Sequence, residues 1–151
     1  MVVCYWSYLP WLLDRRDEKP ASYEIDKKHR RVISTGGDQL TVADGMAHQE
    51  KLLKDPDFDP CFSQLLDLTG VNLSSMAADD IRKLAERNVF SPQSRRAIVA
   101  SSDLVYGFGR MFEILRENEG ENGIRVFRDV HEAVDWILSE SMTPRAGAAV
   151  A

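Results

Sequence analysis

The chain has 151 residues, 44% of them apolar and 28% charged, and a formal net charge of −5; this size suits one domain with a sizeable core. Such a composition points away from a wholly disordered or membrane-embedded chain. With 21 acids against 15 Lys and Arg over residues 22–140, the surface repels phosphate backbones, and the basic pairs Lys27-Lys28, Arg30-Arg31 and Arg95-Arg96 form no stripe, so no nucleic-acid partner is expected.

Residues 1–13 (MVVCYWSYLPWLL) are apolar and aromatic, and charge follows at once in Asp14-Arg15-Arg16-Asp17-Glu18-Lys19. The run is too short to span a bilayer as a helix and is broken by Pro10. It also lacks the leading positive charge and small-residue cleavage site of a secretory signal. Residues 1–21 are therefore expected to be a poorly ordered extension; the sharper alternative is a membrane or partner anchor built on Trp6, Tyr8 and Trp11. No integral membrane protein is expected.

From residue 22 the pattern becomes regular. Short β-prone runs at 23–26 and 31–35 predict a hairpin turning through Lys27-Lys28-His29-Arg30, and Gly36-Gly37 ends it. Thr41 followed by Asp44 predicts a capping box, with Val42, Met46, Gln49 and Leu53 on one face of a helix reaching Lys54. Gly45 is a local weakness in that helix. The loop 55–60 (DPDFDP) leads to a buried strand over 62–68 (FSQLLDL). Ser74 or Ser75 is expected to cap the next helix, with Ile81, Leu84, Ala85 and Asn88 on its inner side.

The apolar strand 97–100 runs into Ser101-Ser102-Asp103, a capping cluster. Leu104, Phe108, Met111 and Leu115 then recur at helical spacing, with Gly107 and Gly109 read as admitting a neighbouring backbone. Strand 124–127 precedes Asp129 and Glu132, read as a second capping box, and a helix burying Val130 or Ala133, Val134, Ile137 and Leu138. Trp136 is expected to be buried there. Residues 141–151 are small, contain Pro and Ala, and read as a disordered tail. Strands alternating with helices give a largely parallel sheet with right-handed crossovers, the hairpin adding an antiparallel edge.

The order of elements, and above all residues 125–138 (RVFRDVHEAVDWIL), resembles the SpoIIAA-like family of bacterial STAS-type domains. Residues 54–60 (KDPDFDP) and 96–113 (RAIVASSDLVYGFGRMFE) add to the resemblance, which covers about residues 22–139 of a domain taken as 22–140. It implies an α/β fold, a single mostly parallel or mixed sheet of four or five strands flanked by about four helices, serving as an interaction or small-ligand module rather than a catalyst. In the wider STAS group a Ser at a helix start after a strand is phosphorylated. The matching place here is Ser74-Ser75, although Asn72-Leu73 stand where that pattern has Asp-Ser. A phosphate at such a helix start gains charge-assisted hydrogen bonds, but Asp79 and Asp80 would repel it.

No catalytic residue is expected. No local motif around Ser74, Ser101 or Ser102 supplies a base and an orienting group. His48 and His131 read as exposed or partly exposed helix residues, and Gly107-Phe108-Gly109 falls inside a helix rather than at a strand-to-helix turn. Asp67 and Glu113 would form an acid pair only if the fold brought them together. His29, His48 and His131 lack ligand spacing, so no metal is expected, and no cofactor is implied. Cys4 and Cys61 suggest no disulfide framework and fit a reducing cytoplasm.

Two functions remain. The first is a regulatory binding module that meets a protein partner at the polar loops holding Ser74, Ser75, Ser101 and Ser102, which a parallel sheet brings to one edge. The alternative is a carrier or sensor of a small apolar, lipid-like ligand, in a pocket lined by Tyr106, Phe108, Phe112 and Trp136; their plainer role is core packing. Self-association as a homodimer stays open.

Overall fold

A computed structural model describes residues 19–140. The expectations for the two tails lie outside these residues, apart from the last three of the 1–21 extension. A hairpin comes first, β1 (Ser22–Asp26) and β2 (Arg31–Thr35), followed by α1 (Val42–Lys54) and β3 (Ser63–Asp67). Then α2 (Ala78–Ala85), β4 (Arg96–Val99), α3 (Asp103–Asn118), β5 (Ile124–Phe127) and α4 (Val130–Glu140) alternate to the end of the described residues. Spatial strand order is β1-β2-β3-β4-β5. The β1–β2 pair is antiparallel and the other three pairs are parallel, so the sheet is mixed, with the expected antiparallel edge.

Strand alternation divides the core between two faces. On one, Leu66, Ile98, Ile124 and Val126 pack with α1, α2 and α3. On the other, Ala97, Val99 and Leu65 meet Ala133 and Ile137 of α4. A third cluster, Val32, Leu52, Phe62, Val89 and Phe90, fills the space beside β1 and β2.

Local chemistry explains most boundaries. Thr41 forms the capping box: its Oγ1 accepts from Asp44 N–H (3.2 Å) while the Asp44 carboxylate accepts from Thr41 N–H (2.9 Å). In the acidic loop Asp55 Oδ1 accepts from Asp57 N–H and Asp59 Oδ1 from Cys61 N–H, self-contained turns that explain its run of Asp. Cys61 is exposed.

Several expectations are corrected. Helix α1 turns Leu52 inward and leaves Leu53 49% exposed. Gly45 is less a weakness than a space, because a Cβ there would lie 2.9 Å from Leu84 of α2. Gly109 sits over the side chains of Val126 and Ile98 rather than a backbone, and Gly107 faces open space. Helix α2 is capped not by Ser74 or Ser75 but at Ala77, whose N–H donates to Asp80 Oδ2 (2.9 Å); the serines precede the helix by a further turn. At α4 only the Asp129 half of the second box forms among the described residues, accepting from His131 N–H (2.9 Å).

Helix α3 departs furthest. Leu104 is exposed, while the buried positions are Val105, Gly109, Glu113 and Arg116. Trp136 is half-buried rather than buried, because α4 meets the sheet through Ala133 and Ile137 and leaves the ring at the flank.

Candidate functional site

Two regions carry polar chemistry, the first inside the core. On the face that holds α1, α2 and α3, Gln64 of β3 and Arg96 of β4 are register partners and both are buried. Arg96 Nε donates to Gln64 Oε1 (3.0 Å), and Gln64 Nε2 donates to Ser34 Oγ of β2 (3.1 Å). Ser34 Oγ in turn lies 3.1 Å from His48 Nε2 of α1. With the amide donating into Ser34, the hydroxyl proton is free to turn toward His48 Nε2, which would place the imidazole proton on Nδ1.

In the other direction Arg96 Nη1 donates to Glu121 Oε1 (2.9 Å) and Arg116 Nε to Glu121 Oε2 (2.7 Å). Arg116 completes its shell on Ala85 O (2.7 Å) and Asn88 Oδ1 (2.8 Å). One hydrogen-bonded relay thus joins α1, the three inner strands, the loop after α3, and the C-terminal end of α2. Arg96 also stacks over Phe90 (4.5 Å) and Phe112 (5.4 Å).

Burial sets the electrostatics. It pushes the Arg96 guanidinium below its usual range, an effect opposed by Glu121 and reinforced by Arg116. His48 is pushed down by burial, then by the charges of Arg96 and Lys51, so it is neutral near pH 7. Ser34 and His48 make a hydroxyl–imidazole contact, but Ser34 is wholly buried and its oxygen already meets two partners. That is a core relay, not an exposed nucleophile. Asp67 and Glu113 do not meet: Asp67 Oδ1 accepts from Thr69, and Glu113 pairs with Arg110 (2.6 Å).

Beside this relay lies a partly open cavity of about 120 Å³, its wall mostly apolar and including Leu66, Leu84, Ile98, Phe108 and Phe112. Thr35, His48, Gln49, Gln64 and Arg96 contribute the polar part of the wall. Gln49 Nε2 donates to Leu84 O (3.0 Å), and its Oε1 is buried without a partner.

The second region is the edge at the C-terminal ends of β3, β4 and β5. Leu73 and Met76 are buried and anchor the loop after β3, leaving Asn72, Ser74 and Ser75 exposed; Asn72 Oδ1 accepts from Ser74 N–H (2.8 Å). After β4, Ser101, Ser102 and Asp103 are exposed, and Ser102 Oγ caps α3 by accepting from Val105 N–H (3.3 Å). After β5, Arg128 reaches back to Asp103 Oδ1 (2.8 Å) and Ser101 O (3.4 Å), and lies 4.1 Å over the Tyr106 ring. The parallel strands bring these loops to one side of the molecule.

The four aromatic candidates do not converge. Phe108 and Phe112 reach the cavity, Tyr106 belongs to the loop edge under Arg128, and Trp136 stands on the other face of the sheet, 5.6 Å from Phe127 and 4.9 Å from Arg95. Reading the sequence missed the buried relay. Its one local signal was a polar residue at an inward strand position, Gln64 within FSQLLDL and Arg96 at the head of RAIV; Glu121, in a loop, gave none.

Among the described residues no three or more His, Cys, Asp or Glu gather to hold a metal ion, and no helix is long and apolar enough to cross a membrane. Residues 19–140 thus form an α/β fold with a mixed five-stranded sheet and four flanking helices. No family model matches the chain, and no curated protein does. It resembles the SpoIIAA-like family in the stretches described above, and among solved structures it is similar to the crystal structure of an uncharacterized protein from the DUF3478 family with a SpoIIAA-like fold from Shewanella loihica PV-4. That similarity has 23% identity over 80% of this chain and 94% of the other, with a TM-score of 0.47.

Proposed function

We propose that this chain is a non-enzymatic regulatory module that binds a protein partner through the C-terminal edge of its sheet. The observation that supports the reading is the joining of three exposed polar loops on one edge, held from below by Leu73, Met76 and Val105. Ser74, Ser75 and Ser101 present hydroxyls there that the fold does not spend on capping a helix, and they are the positions offered for contact or phosphorylation. The test is capture of partners on immobilised protein, comparing wild type with Ser75→Glu and Ser75→Ala, with a thermal melt of each. A partner retained by wild type and Ser75→Ala but lost on Ser75→Glu, at equal melting temperature, supports the edge. Identical profiles for all three argue against it.

A second reading, binding of a small apolar molecule, is favoured by the cavity beside Arg96. Its 120 Å³ is well below the roughly 300–1,000 Å³ of sites for drug-sized ligands. The cavity therefore suits a small ring or short branched chain better than a lipid.

A further inference from the structure

The charges around the cavity do not balance. Arg96 and Arg116 share one carboxylate, that of Glu121, and both of its oxygens are already taken. Their remaining partners are neutral: Gln64, Asn88 and the Ala85 carbonyl. The other buried acid, Glu113 of α3, is engaged by Arg110. Within the relay itself, Arg96 and Arg116 against Glu121, there is thus a formal excess of one positive charge, the Glu113 carboxylate being neutralised outside it by the half-exposed Arg110. An uncompensated buried charge is costly unless something of opposite sign reaches it.

Arg116 uses all three guanidinium nitrogens, whereas Arg96 uses Nε and Nη1 and makes no hydrogen bond through Nη2. The Arg96 side chain is only 9% exposed, and it forms part of the cavity wall. An unspent charged donor, a positive excess and an apolar void therefore meet at one place.

We propose that the cavity binds a small organic monoanion, a carboxylate on an apolar body, with the carboxylate on Arg96 and the body between Phe108, Phe112 and Ile98. The proposal deepens the second reading above and rests on it. Size limits the body: an apolar cavity of about 150 Å³ takes a benzene ring, so about 120 Å³ admits a ring or a branched chain of four to six carbons. Carboxylate is favoured over a neutral head because guanidinium–carboxylate hydrogen bonds are roughly twice as strong as neutral ones, and because the anion also cancels the buried charge.

The test uses the full chain with benzoate and with benzyl alcohol, a neutral molecule of the same outline, each titrated by calorimetry and by amide chemical shifts. The expected result is a benzoate dissociation constant at least tenfold below that of benzyl alcohol, with shifts centred on Phe90, Arg96 and Gly109. Arg96→Gln should erase that difference. Because it also cuts the relay and could unfold the protein, Gln64→Glu provides an independent check: it supplies the missing negative charge beside Arg96 at unchanged size. Gln64→Glu should melt cooperatively and lose benzoate binding. Benzoate and benzyl alcohol binding equally would overturn the anion proposal while leaving an apolar cavity site. Binding of neither would overturn both, and benzoate retained by a folded Gln64→Glu protein would overturn the role of the unbalanced charge.

Discussion

On the side of α4, Ala97, Val99, Ala133 and Ile137 close on one another with small or branched side chains and at most 8% exposure. Across the same strands, on the side of α1, α2 and α3, Gln64 and Arg96 occupy inward positions and draw Ser34, His48, Glu121 and Arg116 into the core. The centre of the first face is held by area and shape, with Arg95 bonding the Trp136 carbonyl only at its flank. The second exchanges part of its apolar packing for directional bonds and leaves a cavity, so it tolerates the loss of a partner far less well. Removing one member of a buried ion pair strands the other charge in a medium that cannot solvate it, whereas trimming an apolar contact costs only the area lost.

The largest expected effect is therefore at Glu121, which is 1% exposed and serves both guanidinium groups. Glu121→Ala should lower stability by about 3–5 kcal/mol, read as a shift of the urea unfolding midpoint at constant slope. A loss under about 1 kcal/mol would mean that both arginines find water, and the contrast between the faces would disappear.

Trp136→Ala sharpens the comparison from the α4 side. Full burial would imply about 3–5 kcal/mol, but a half-buried ring should cost roughly 2 kcal/mol. The same unfolding experiment checks it. A cost matching that of Glu121→Ala would show the flank of α4 to be as closely packed as its centre.

The difference between the faces also explains what could be read in the sequence. Elements set by local rules were legible: the hairpin, the Thr41–Asp44 box, the capping cluster at 101–103 and the strand 124–127 each depend on residues within a few positions. The α4 face was nearly legible too, because Ala133 and Ile137 follow a simple helical stripe. The relay was not, since its bonds join residues 14 to 32 positions apart, apart from the Arg116–Glu121 contact. Apolar periodicity cannot register an Arg that faces inward. Counting hydrophobic residues therefore placed Leu104 inside, overlooked Arg116, and gave no sign that Glu113 is buried. The C-terminal edge was legible in position, from the parallel topology, but the chemistry of Ser74 and Ser75 was misread because the cap sits at Ala77.

A smaller effect, confined to mildly acid solution, should come from His48. Burial chiefly, then Arg96 and Lys51, hold its pKa below the ordinary value, so between the folded and unfolded pKa values the unfolded chain binds more protons. The His48 contribution is then fully present above about pH 6.5 and is lost as pH falls toward the folded pKa. Wild type should melt at a lower temperature at pH 5.5 than at pH 7.5, and His48→Gln should flatten that dependence. An unchanged slope in the variant would mean that His48 protonates without disturbing Ser34.

The smallest effects separate the two serine loops of the edge. Ser102 Oγ accepts from Val105 N–H and satisfies a helix donor that otherwise has no partner, so Ser102→Ala should cost about 1 kcal/mol. Ser75 is exposed and does not cap α2, where Asp80 accepts from Ala77 N–H instead; Ser75→Ala should stay within about 0.5 kcal/mol of wild type. Paired unfolding curves of the two variants decide the matter, because both replace an exposed serine at the same edge by the same residue. Equal losses would return Ser75 to a structural role and weaken its standing as a contact. A silent Ser75→Ala beside a costly Ser102→Ala would leave Ser75 as a hydroxyl the fold does not need, the property required of a position held for a partner or a phosphate.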